Sequence, residues 1–439
     1  MHKAVHGLKN NKATGIDAIP AECLKNGPVI EILSKIYSYC FDKGVVPNQW
    51  LKGIIHPIFK SGSIYNPLNY RSITLMNIIC KCYFFILNKR LCTWIEANDI
   101  LNDEQNGFRH ARSCLDHMYV LYTIVKNRLL TKRSTYACFI DAKKAFDRVN
   151  HSCLWYKLHG IGIRGKMLLA LQSLYNKGEL MSCVRINNMM TENFHIKCSV
   201  KQGDPTSPTL FALYMNDLIN DINDVNQGVQ CGNQNISALC YADDIVILSE
   251  SPNGLQRQLD IVDAWCKTWR MEINQDKTKV VHFRPKSVNM TTCKFRLGDL
   301  DIGIAMKYKY LGLYFNDHLN DDEIVNDVAK SATRALGGMI TKYNRTGGNS
   351  YETFTKLYEC LVQPVMLYGA ALWGVKDYRK LNVVQNRACK YFLGVPKNTS
   401  NTACLGDVGW LSIASKQKIE MVRLWCRLKN MDKTRLTHS

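Results

Sequence analysis

The chain has 439 residues, 46% of them hydrophobic, and its formal net charge is +20. The length predicts about two or three domains, and the hydrophobic content excludes a largely disordered chain. A positive charge of this size indicates a polyanionic partner, either nucleic acid or an anionic membrane surface. Nucleic acid is favoured because no apolar run approaches the roughly 20 residues that cross a bilayer. A merely soluble basic surface is the alternative that charge leaves open.

The cysteines and the N-terminal residues indicate a compartment. The 18 cysteines are scattered without a Cys-x-x-Cys spacing, which is untypical of zinc sites, and residues 1–12 are too polar for a signal peptide. We therefore expect reduced thiols in a protein of the nucleus or cytoplasm that is neither secreted nor membrane-spanning.

The predicted elements divide the chain near residue 320. The first hundred residues are expected to mix short helices and loops, and a later helix to begin with Ser207 as N-cap and Pro208 at its first position. Strand signals end near residue 320, and the glycine pairs at 337–338 and 347–348 are expected to interrupt the helices that follow. Hydrophobic periodicity predicts helices over 75–97, 255–269, 324–336, 354–372 and 380–392, strands over 136–140, 280–283 and 310–315, and strand, turn, strand over 237–248.

Three aspartates lie where a purely structural protein gains nothing from them. Asp141 closes an apolar strand, and Asp243 and Asp244 stand side by side between apolar runs. A two-residue hairpin turn prefers Asn-Gly or Asp-Gly, whereas adjacent carboxylates repel each other unless cations offset the repulsion. Nucleotidyl transfer with two Mg²⁺ ions about 3.5–4 Å apart needs such carboxylates from separate strands. Taken alone, the Asp-Asp pair is more simply a solvated turn, so the surrounding segments decide.

Several segments resemble, in the same order, the conserved boxes of one family. Tyr241-Ala242-Asp243-Asp244 is similar to the Tyr/Phe-x-Asp-Asp box of reverse transcriptases, and residues 139–147 to the box that carries their other catalytic aspartate. Residues 105–109 with Arg112-Ser113 are similar to the Gly-Phe-Arg signature of the non-LTR, LINE-type class. Further matches are residues 11–17, 69–73, 202–208, Asn274 with Lys277, 310–312 and, more loosely and toward jockey-like elements, 364–369 and 385–388.

The resemblance covers about residues 8–320 and implies a role for each matched residue. Asp141, Asp243 and Asp244 would bind two Mg²⁺ ions, with Mn²⁺ as a substitute, and Phe146 would exclude a 2′-hydroxyl from the nucleotide sugar. The remaining implied roles are phosphate contacts by Lys60 and Arg71, contacts to nucleotide and template by Gln202 and Gly203, and proton donation to pyrophosphate by Lys277. Without the resemblance, Phe146 would be a core aromatic, and Lys60 and Lys277 would be solvated surface lysines.

The same resemblance implies an architecture and an activity. We expect an α+β right-hand polymerase, with fingers and an antiparallel palm sheet over 1–320 and a helical thumb and basic C-terminal region over 321–439. The activity would be RNA-directed DNA polymerase, a nucleotidyltransferase that extends a primer 3′-hydroxyl. The expected partners are an RNA template, a DNA primer or target and deoxynucleoside triphosphates, with no membrane and no stable protein partner.

The helical end is rich in basic and aromatic side chains that suit a template–primer duplex. Core packing is the favoured role for the aromatic residues Trp373, Tyr378 and Tyr391, with base stacking as the alternative. A solvated face is the alternative for each of the basic residues, which are Lys330, Arg334, Lys342, Arg345, Arg379, Lys380, Arg387 and Lys390.

Two other functions remain open at this stage. Ser72, Cys114 and Ser199 depart from the residues common in the family boxes, and no nuclease segment is evident, so we expect a truncated element whose target is nicked by another protein. A catalytically silent nucleic-acid-binding remnant is therefore one alternative. A DNA-templated or template-free nucleotidyltransferase is the other, and a comparison of RNA and DNA templates distinguishes it.

Overall fold

The structure is a computed structural model that describes residues 1–176, 178–187, 189–232, 234–348 and 350–438. Helices and strands alternate irregularly as far as residue 320. The helices of this part are α1 (His2–His6), α2 (Gly27–Lys43), α3 (Ile78–Ala97), α4 (Cys114–Leu130), α5 (Ala145–Arg148), α6 (His151–Gly160), α7 (Gly165–Ser173), α8 (Ser207–Asp224) and α9 (Pro252–Trp269). Its strands are β1 (Lys52–Phe59), β2 (Tyr70–Met76), β3 (Thr135–Asp141), β4 (Met181–Ile186), β5 (Met189–Met190), β6 (Phe194–His195), β7 (Val229–Cys231), β8 (Gln234–Ile236), β9 (Ala238–Tyr241), β10 (Asp244–Ser249), β11 (Lys279–Phe283), β12 (Phe295–Leu297), β13 (Leu300–Ile302), β14 (Lys307–Tyr310) and β15 (Leu313–Asn316).

An antiparallel sheet of four strands, in the order β11-β3-β10-β9, forms the centre of this part and is called the central sheet below. Its strands read as continuous apolar runs because both faces are covered. Successive side chains of a strand point to opposite faces. Cys138 and Ile140 of β3 therefore belong to one hydrophobic core, and Ala137 and Phe139 to another. The predicted strands over 136–140 and 280–283 are confirmed within a residue at each end.

A second sheet, the N-terminal sheet, was not predicted. It has the order β2-β1-β4-β5, with β6 also paired to β4. The β1–β2 pair is an antiparallel hairpin, whereas β1 and β4 run parallel, with Lys52 opposite Met181. The expectation of only short helices and loops in the first hundred residues is therefore wrong. Local pattern fails here because the outer half of β1 is exposed and carries no clear apolar alternation.

Three local predictions differ from the structure by a turn or a cap. The predicted strand over 310–315 is the hairpin β14–β15, because Leu311 and Gly312 at its tip have φ of 46° and 91°. The helix predicted over 75–97 begins only at Ile78, since residues 70–76 pair with β1. The N-cap of α8 is Thr206, which places Ser207 and Pro208 inside the first turn.

After residue 320 the described chain is helical, as predicted. Its helices are α10 (Asp321–Arg345), α11 (Tyr351–Leu357), a π-helical turn (Tyr358–Val362), α12 (Gln363–Met366), α13 (Ala370–Trp373), α14 (Arg379–Leu393), α15 (Asn401–Asp407) and α16 (Ile413–Lys429). Contrary to the prediction, the pair Gly337-Gly338 does not interrupt a helix but lies inside α10, where buried Leu336 and Met339 pack into the core on either side. No helix in the described part of the chain is apolar and long enough to cross a bilayer.

Candidate active site

The carboxylates of the β3 and β10 aspartates meet at one end of the central sheet. Asp141 is the last residue of β3, Asp244 is the first of β10, and the two are direct partners in the antiparallel register. Directly opposite residues of such a pair project from the same face with Cβ atoms about 4.5–5.5 Å apart. Asp243 precedes Asp244 in the turn. The fold therefore brings Asp141 together with Asp243 and Asp244, which lie about a hundred residues later in the chain.

The turn that carries Asp243 has a strained backbone. Tyr241 of β9 pairs with Asp244 of β10, so Ala242 and Asp243 form a two-residue hairpin turn. Ala242 has a φ of 60°, the left-handed region that turns of this kind usually reserve for glycine. An alanine in this conformation costs roughly 1–2 kcal/mol, so neighbouring groups must hold it there.

Gln105 is the side chain that holds this turn. It is fully buried, and its Oε1 accepts hydrogen bonds from the backbone N–H groups of Ala242, at 3.0 Å, and Gly107, at 2.9 Å. The backbone around it pairs with β9, since Cys240 N donates to Glu104 O at 2.8 Å and Asn106 N donates to Cys240 O at 2.9 Å. Gln105 lies in the Gly-Phe-Arg segment recognised in the sequence, but the pattern there carried no sign of this contact.

Gly107 allows the same segment to approach the turn. A Cβ atom at Gly107 would lie 2.2 Å from the backbone nitrogen of Ala242, far inside van der Waals contact. The absence of a side chain is therefore required by the proximity of two backbones. The glycine of this box is explained by packing against the aspartate turn.

Burial and mutual repulsion control the protonation of the carboxylates. Partial desolvation, together with the neighbouring carboxylates of Asp243 and Asp141, raises the pKa of Asp244 to about 6 against the opposing effect of Lys277. Desolvation also raises the pKa of Asp243, with Asp141 adding to the shift and the cations Lys60 and Arg71 opposing it. Ionisation of all three carboxylates is therefore unfavourable in free energy, and a cation bound there would make it less unfavourable.

The arrangement suits Mg²⁺ better than a metal with a closed protein shell. Among the described residues, no three His, Cys, Asp or Glu side chains already form a metal-binding cluster. Mg²⁺ binds through one or two carboxylates and completes its octahedral shell with water and substrate phosphate. Asp141, Asp243 and Asp244 provide oxygen donors of the right chemistry at the surface end of the sheet. Lys277 Nζ lies 3.6 Å from Asp141 Oδ2, so a cation is already held at this carboxylate.

The two basic residues predicted to contact phosphate lie on the β1–β2 hairpin. Both are exposed, and both lower the pKa of Asp243, so they lie within electrostatic range of the aspartate turn. Lys60 N donates to Asn69 O at 2.8 Å and closes the hairpin, and Arg71 follows on β2. The N-terminal sheet thus presents positive charge opposite the carboxylates.

Gln202 and Gly203 lie against the same strand. Thr74 N of β2 donates to Gln202 O at 2.7 Å. Gly203 has a φ of 119°, and a Cβ atom there would lie 2.6 Å from Thr74 O, so both conformation and space require glycine. The side chain of Gln202 turns toward Asp147, with Nε2 at 3.5 Å from Oδ1. These residues therefore join the N-terminal sheet to the segment that follows Asp141.

Phe146 lies between two other phenylalanine rings. Its ring stacks on that of buried Phe211 of α8 at a centroid distance of 4.6 Å, and Phe108 contacts it edge-on at 6.3 Å. Phe146 is itself only partly buried. The stacking on Phe211 fixes the plane of the ring, which lies five residues after Asp141 in the chain.

A groove of about 640 Å³ lies between Tyr241, the last residue of β9, and the helical end. Tyr241 and Cys114 line it together with Gln363, Leu367 and Tyr368. The Tyr368 hydroxyl donates to the carbonyl of Leu311, in the β14–β15 turn that resembles a primer grip. The groove is therefore lined both by Tyr241, two residues before Asp243, and by Tyr368, which contacts this turn.

Two of the basic side chains predicted to suit a duplex make contacts near the surface of the helical end. Lys380 Nζ donates to Asn326 Oδ1 at 3.0 Å, and Lys330 lies 3.9 Å from Asp327. Of the aromatic residues, Trp373 and Tyr378 are buried, which confirms core packing for both. Tyr391 is 36% exposed and lies over Phe354 at 6.1 Å.

Comparison with known proteins identifies the family. Residues 58–315, more than half of the chain, match the family model "Reverse transcriptase (RNA-dependent DNA polymerase)". The chain is 27% identical over 418 residues to the probable RNA-directed DNA polymerase from transposon BS of Drosophila melanogaster, covering 92% of this chain and 45% of that protein. It is 23% identical over 405 residues to the RNA-directed DNA polymerase from mobile element jockey of the same species, covering 89% and 43%. The chain thus spans less than half of the length of these relatives.

A solved structure supports the fold. The telomerase from Candida albicans, in complex with a TWJ fragment of telomeric RNA, superposes with a TM-score of 0.50 at 12% identity, over 88% of this chain and 71% of that chain. This likeness concerns the fold alone, and with the two sheets and the helical end it agrees with the expected right-hand polymerase. Together with the family match, it shows that the chain belongs to the reverse transcriptase family, and its resemblance to jockey-like, non-LTR retrotransposon enzymes is confirmed.

Proposed function

We propose that this chain copies RNA into DNA by two-metal nucleotidyl transfer onto a primer 3′-hydroxyl. The observation that carries the proposal is the convergence of Asp141, Asp243 and Asp244 opposite the cations of the β1–β2 hairpin. Two Mg²⁺ ions, with Mn²⁺ as a substitute, would activate the 3′-hydroxyl and offset the charge of the leaving pyrophosphate. The family membership supports the polymerase class, and the retention of every carboxylate does not favour a silent remnant.

The chain's own residues would bind and orient the substrates. Lys60 and Arg71 would contact the triphosphate, because they supply the positive charge that faces Asp243. Gln202 and Gly203 would form the wall beside the nucleotide and template, close to β2. Lys277 would give a proton to the departing pyrophosphate, since its ammonium already lies at the carboxylate end of the sheet.

Phe146 would select the sugar. Its ring is held in one plane by Phe211, so it cannot turn aside without losing the stacking contact. A ring fixed under the sugar would exclude the 2′-hydroxyl of a ribonucleotide by volume. The same residues would serve at each further nucleotide addition, because the template–primer duplex moves while these side chains stay in place.

The groove beside Tyr241 supports a path for the primer. It is lined by Tyr241, which precedes the aspartate turn, and by Tyr368, whose hydroxyl donates to the carbonyl of Leu311. It is bordered by the helical end that we assign, over 321–439, as thumb and basic C-terminal region. Residues 1–320 would form fingers and palm. The partners would be an RNA template, a DNA primer or target and deoxynucleoside triphosphates, and the protein would act in the nucleus or cytoplasm.

Primer extension tests the proposal. The purified chain is given Mg²⁺, deoxynucleotides and a DNA primer annealed to either an RNA or a DNA template of the same sequence. We expect extension on RNA, and a loss of roughly 100-fold or more in Asp141→Asn and Asp243→Asn, because each removes charge from the metal-binding set. Asp260→Asn, an exposed carboxylate on α9, is the matched control and should retain the wild-type rate.

Three outcomes would contradict the proposal in different ways. Equal extension by wild type and Asp243→Asn would show that the chemistry occurs elsewhere. Salt-dependent binding of an RNA–DNA duplex without extension would favour the silent remnant. Extension on DNA templates alone, or without a template, would favour the other nucleotidyltransferase.

A further inference from the structure

The C-terminal segment packs against the segment that carries Gln105. Arg427, near the end of α16, donates through both terminal nitrogens to Ser113 Oγ at 3.0 Å and forms an ion pair with Asp116. Eight residues later, Arg435 lies 3.6 Å from the other oxygen of Asp116. These contacts connect positions more than 300 residues apart in sequence. They place the end of the described chain beside the Gly-Phe-Arg segment.

Asp116 makes these arginines necessary. Its residue exposure is 0%, and its Oδ2 accepts the backbone N–H of Ser113 at 3.0 Å at the start of α4. A buried carboxylate that loses its cationic partners is strongly destabilising, because the charge is left without water or a counterion. Arg427 and Arg435 both come from the C-terminal segment, so the charge balance at the start of α4 depends on that segment.

A second acidic residue, Asp103, also contacts the C-terminal segment. Asp103 forms an ion pair with Arg112, lies 3.5 Å from Arg435 Nε, and accepts the backbone N–H of Leu436. Arg435 therefore lies between two carboxylates, one on each side of Gln105 in the chain. The loop that carries Gln105 is held at both ends by the C-terminal segment.

The same loop holds the aspartate turn. Gln105 N donates to Asn102 O at 3.1 Å, and Gln105 Oε1 accepts the N–H of Ala242 at 3.0 Å. His117, next to Asp116, is buried and contacts the ring of Tyr241 edge-on at 6.4 Å. A continuous set of contacts thus runs from Arg427 and Arg435 through the loop to the backbone beside Asp243.

We propose that Arg427 and Arg435 are positioning residues for the polymerase reaction. They neutralise Asp116 and Asp103, hold the loop that carries Gln105, and thereby keep the left-handed Ala242 and the adjacent Asp243 carboxylate in the geometry that the chemistry needs. They touch neither substrate nor metal. This inference rests on the proposed polymerase function, and the C-terminal segment becomes part of the support of the active site.

A rescue experiment separates this role from general stability. The variants are Arg427→Gln with Arg435→Gln, Asp116→Asn, the combination of all three, and Arg423→Gln as a matched control. Arg423 lies on the same helix, is itself exposed and forms an ion pair with half-buried Glu420, so its loss should change little. Each variant is measured for its single-turnover incorporation rate at saturating deoxynucleotide, its affinity for RNA–DNA duplex, and backbone hydrogen exchange over residues 100–117 and 238–245.

The double arginine variant is expected to lose about tenfold in rate, since small misplacements of reacting groups cost one to two orders of magnitude. Duplex affinity should stay within about threefold, and exchange over 238–245 should rise. Adding Asp116→Asn should return the rate to that of Asp116→Asn alone, because the uncompensated charge is gone. If the double variant does not fold, the combined variant still allows this comparison with Asp116→Asn.

Two results would overturn the inference. One is a wild-type incorporation rate in the double variant, with faster exchange confined to the C-terminal segment. The other is a lost rate that Asp116→Asn does not restore and that follows a matching loss of duplex affinity, which would make the arginines nucleic-acid contacts. If the wild type itself is inactive, the proposed function fails, and the exchange over 238–245 then decides the coupling alone.

Discussion

Asp141 and Asp244 are direct partners across the β3–β10 pairing, so two carboxylates occupy one face of the sheet at the same level. Nothing local favours that placement, because like charges directly opposite each other destabilise a strand pair. Burial of the apolar residues next to the two aspartates offsets this repulsion. Ile140 pairs with Ile245, and both are buried in one core. Burial of the runs behind the carboxylates therefore forces the charges together.

The pH dependence of stability should reveal this repulsion. In the folded protein the pKa of Asp244 is raised to about 6 from an ordinary value of 3.8, so the folded state binds the proton more tightly than the unfolded chain. Protonation of Asp244 therefore stabilises the folded state, and this contribution to the free energy of unfolding is complete below about pH 4 and is lost as the pH rises through about 6. Asp244→Asn should accordingly raise the melting temperature at about pH 8 and give little gain near pH 4. An equal gain at both pH values would show that charge is not the cause.

Metal binding should release protons near the same pH. A divalent cation binds the ionised carboxylates, so it must displace the proton that Asp244 holds when its pKa is about 6. Calorimetric titration of Mg²⁺ in two buffers of different ionisation enthalpy should show proton release near pH 6 and almost none near pH 8. The release should be smaller in Asp244→Asn. Identical heats in the two buffers at the lower pH would contradict the assignment.

Gly107→Ala should disable the site without touching a carboxylate. The new Cβ would lie 2.2 Å from Ala242 N, so the turn or the loop must move. We expect a loss of roughly 100-fold in extension and a loss of about 1–3 kcal/mol in the free energy of unfolding, measured by denaturant titration. Gly160→Ala, whose Cβ would meet nothing within 4 Å at the end of α6, is the control and should change neither quantity. Full activity in Gly107→Ala would refute the close approach.

Phe146→Val should relax the selection of the sugar. The smaller side chain leaves room for a 2′-hydroxyl, so incorporation of ribonucleotides relative to deoxynucleotides should rise about tenfold or more. Loss of the stacking on Phe211 should also lower the free energy of unfolding by about 1–2 kcal/mol. The measurement is the ratio of kcat/KM for the two nucleotides, with Phe85→Val on α3 as a matched control. An unchanged ratio with the expected loss of stability would leave Phe146 as a core aromatic only.

The local sequence was sufficient for the elements that carry the carboxylates. The apolar runs before Asp141 and after Asp244 predicted their strands, because a continuous run buried on both faces is visible in the chain itself. The sequence shows a glycine at position 312, but it does not show that this residue has a φ of 91° at the tip of a hairpin. The run from Tyr310 to Phe315 has the composition of a single strand. Local pattern predicted burial there and missed the reversal of direction.

The sequence by itself determined the family, the strands that carry the aspartates and the acidic residues, since each depends on neighbours in the chain or on residue types at set spacings. Only the tertiary structure decided which distant groups meet: Gln105 with the N–H of Ala242, and Arg427 with buried Asp116. The physical reason is that a side-chain hydrogen bond or a buried ion pair leaves no periodic trace in the sequence. Which residue becomes the partner of such a side chain depends on how the hydrophobic cores pack, and that packing involves the whole chain.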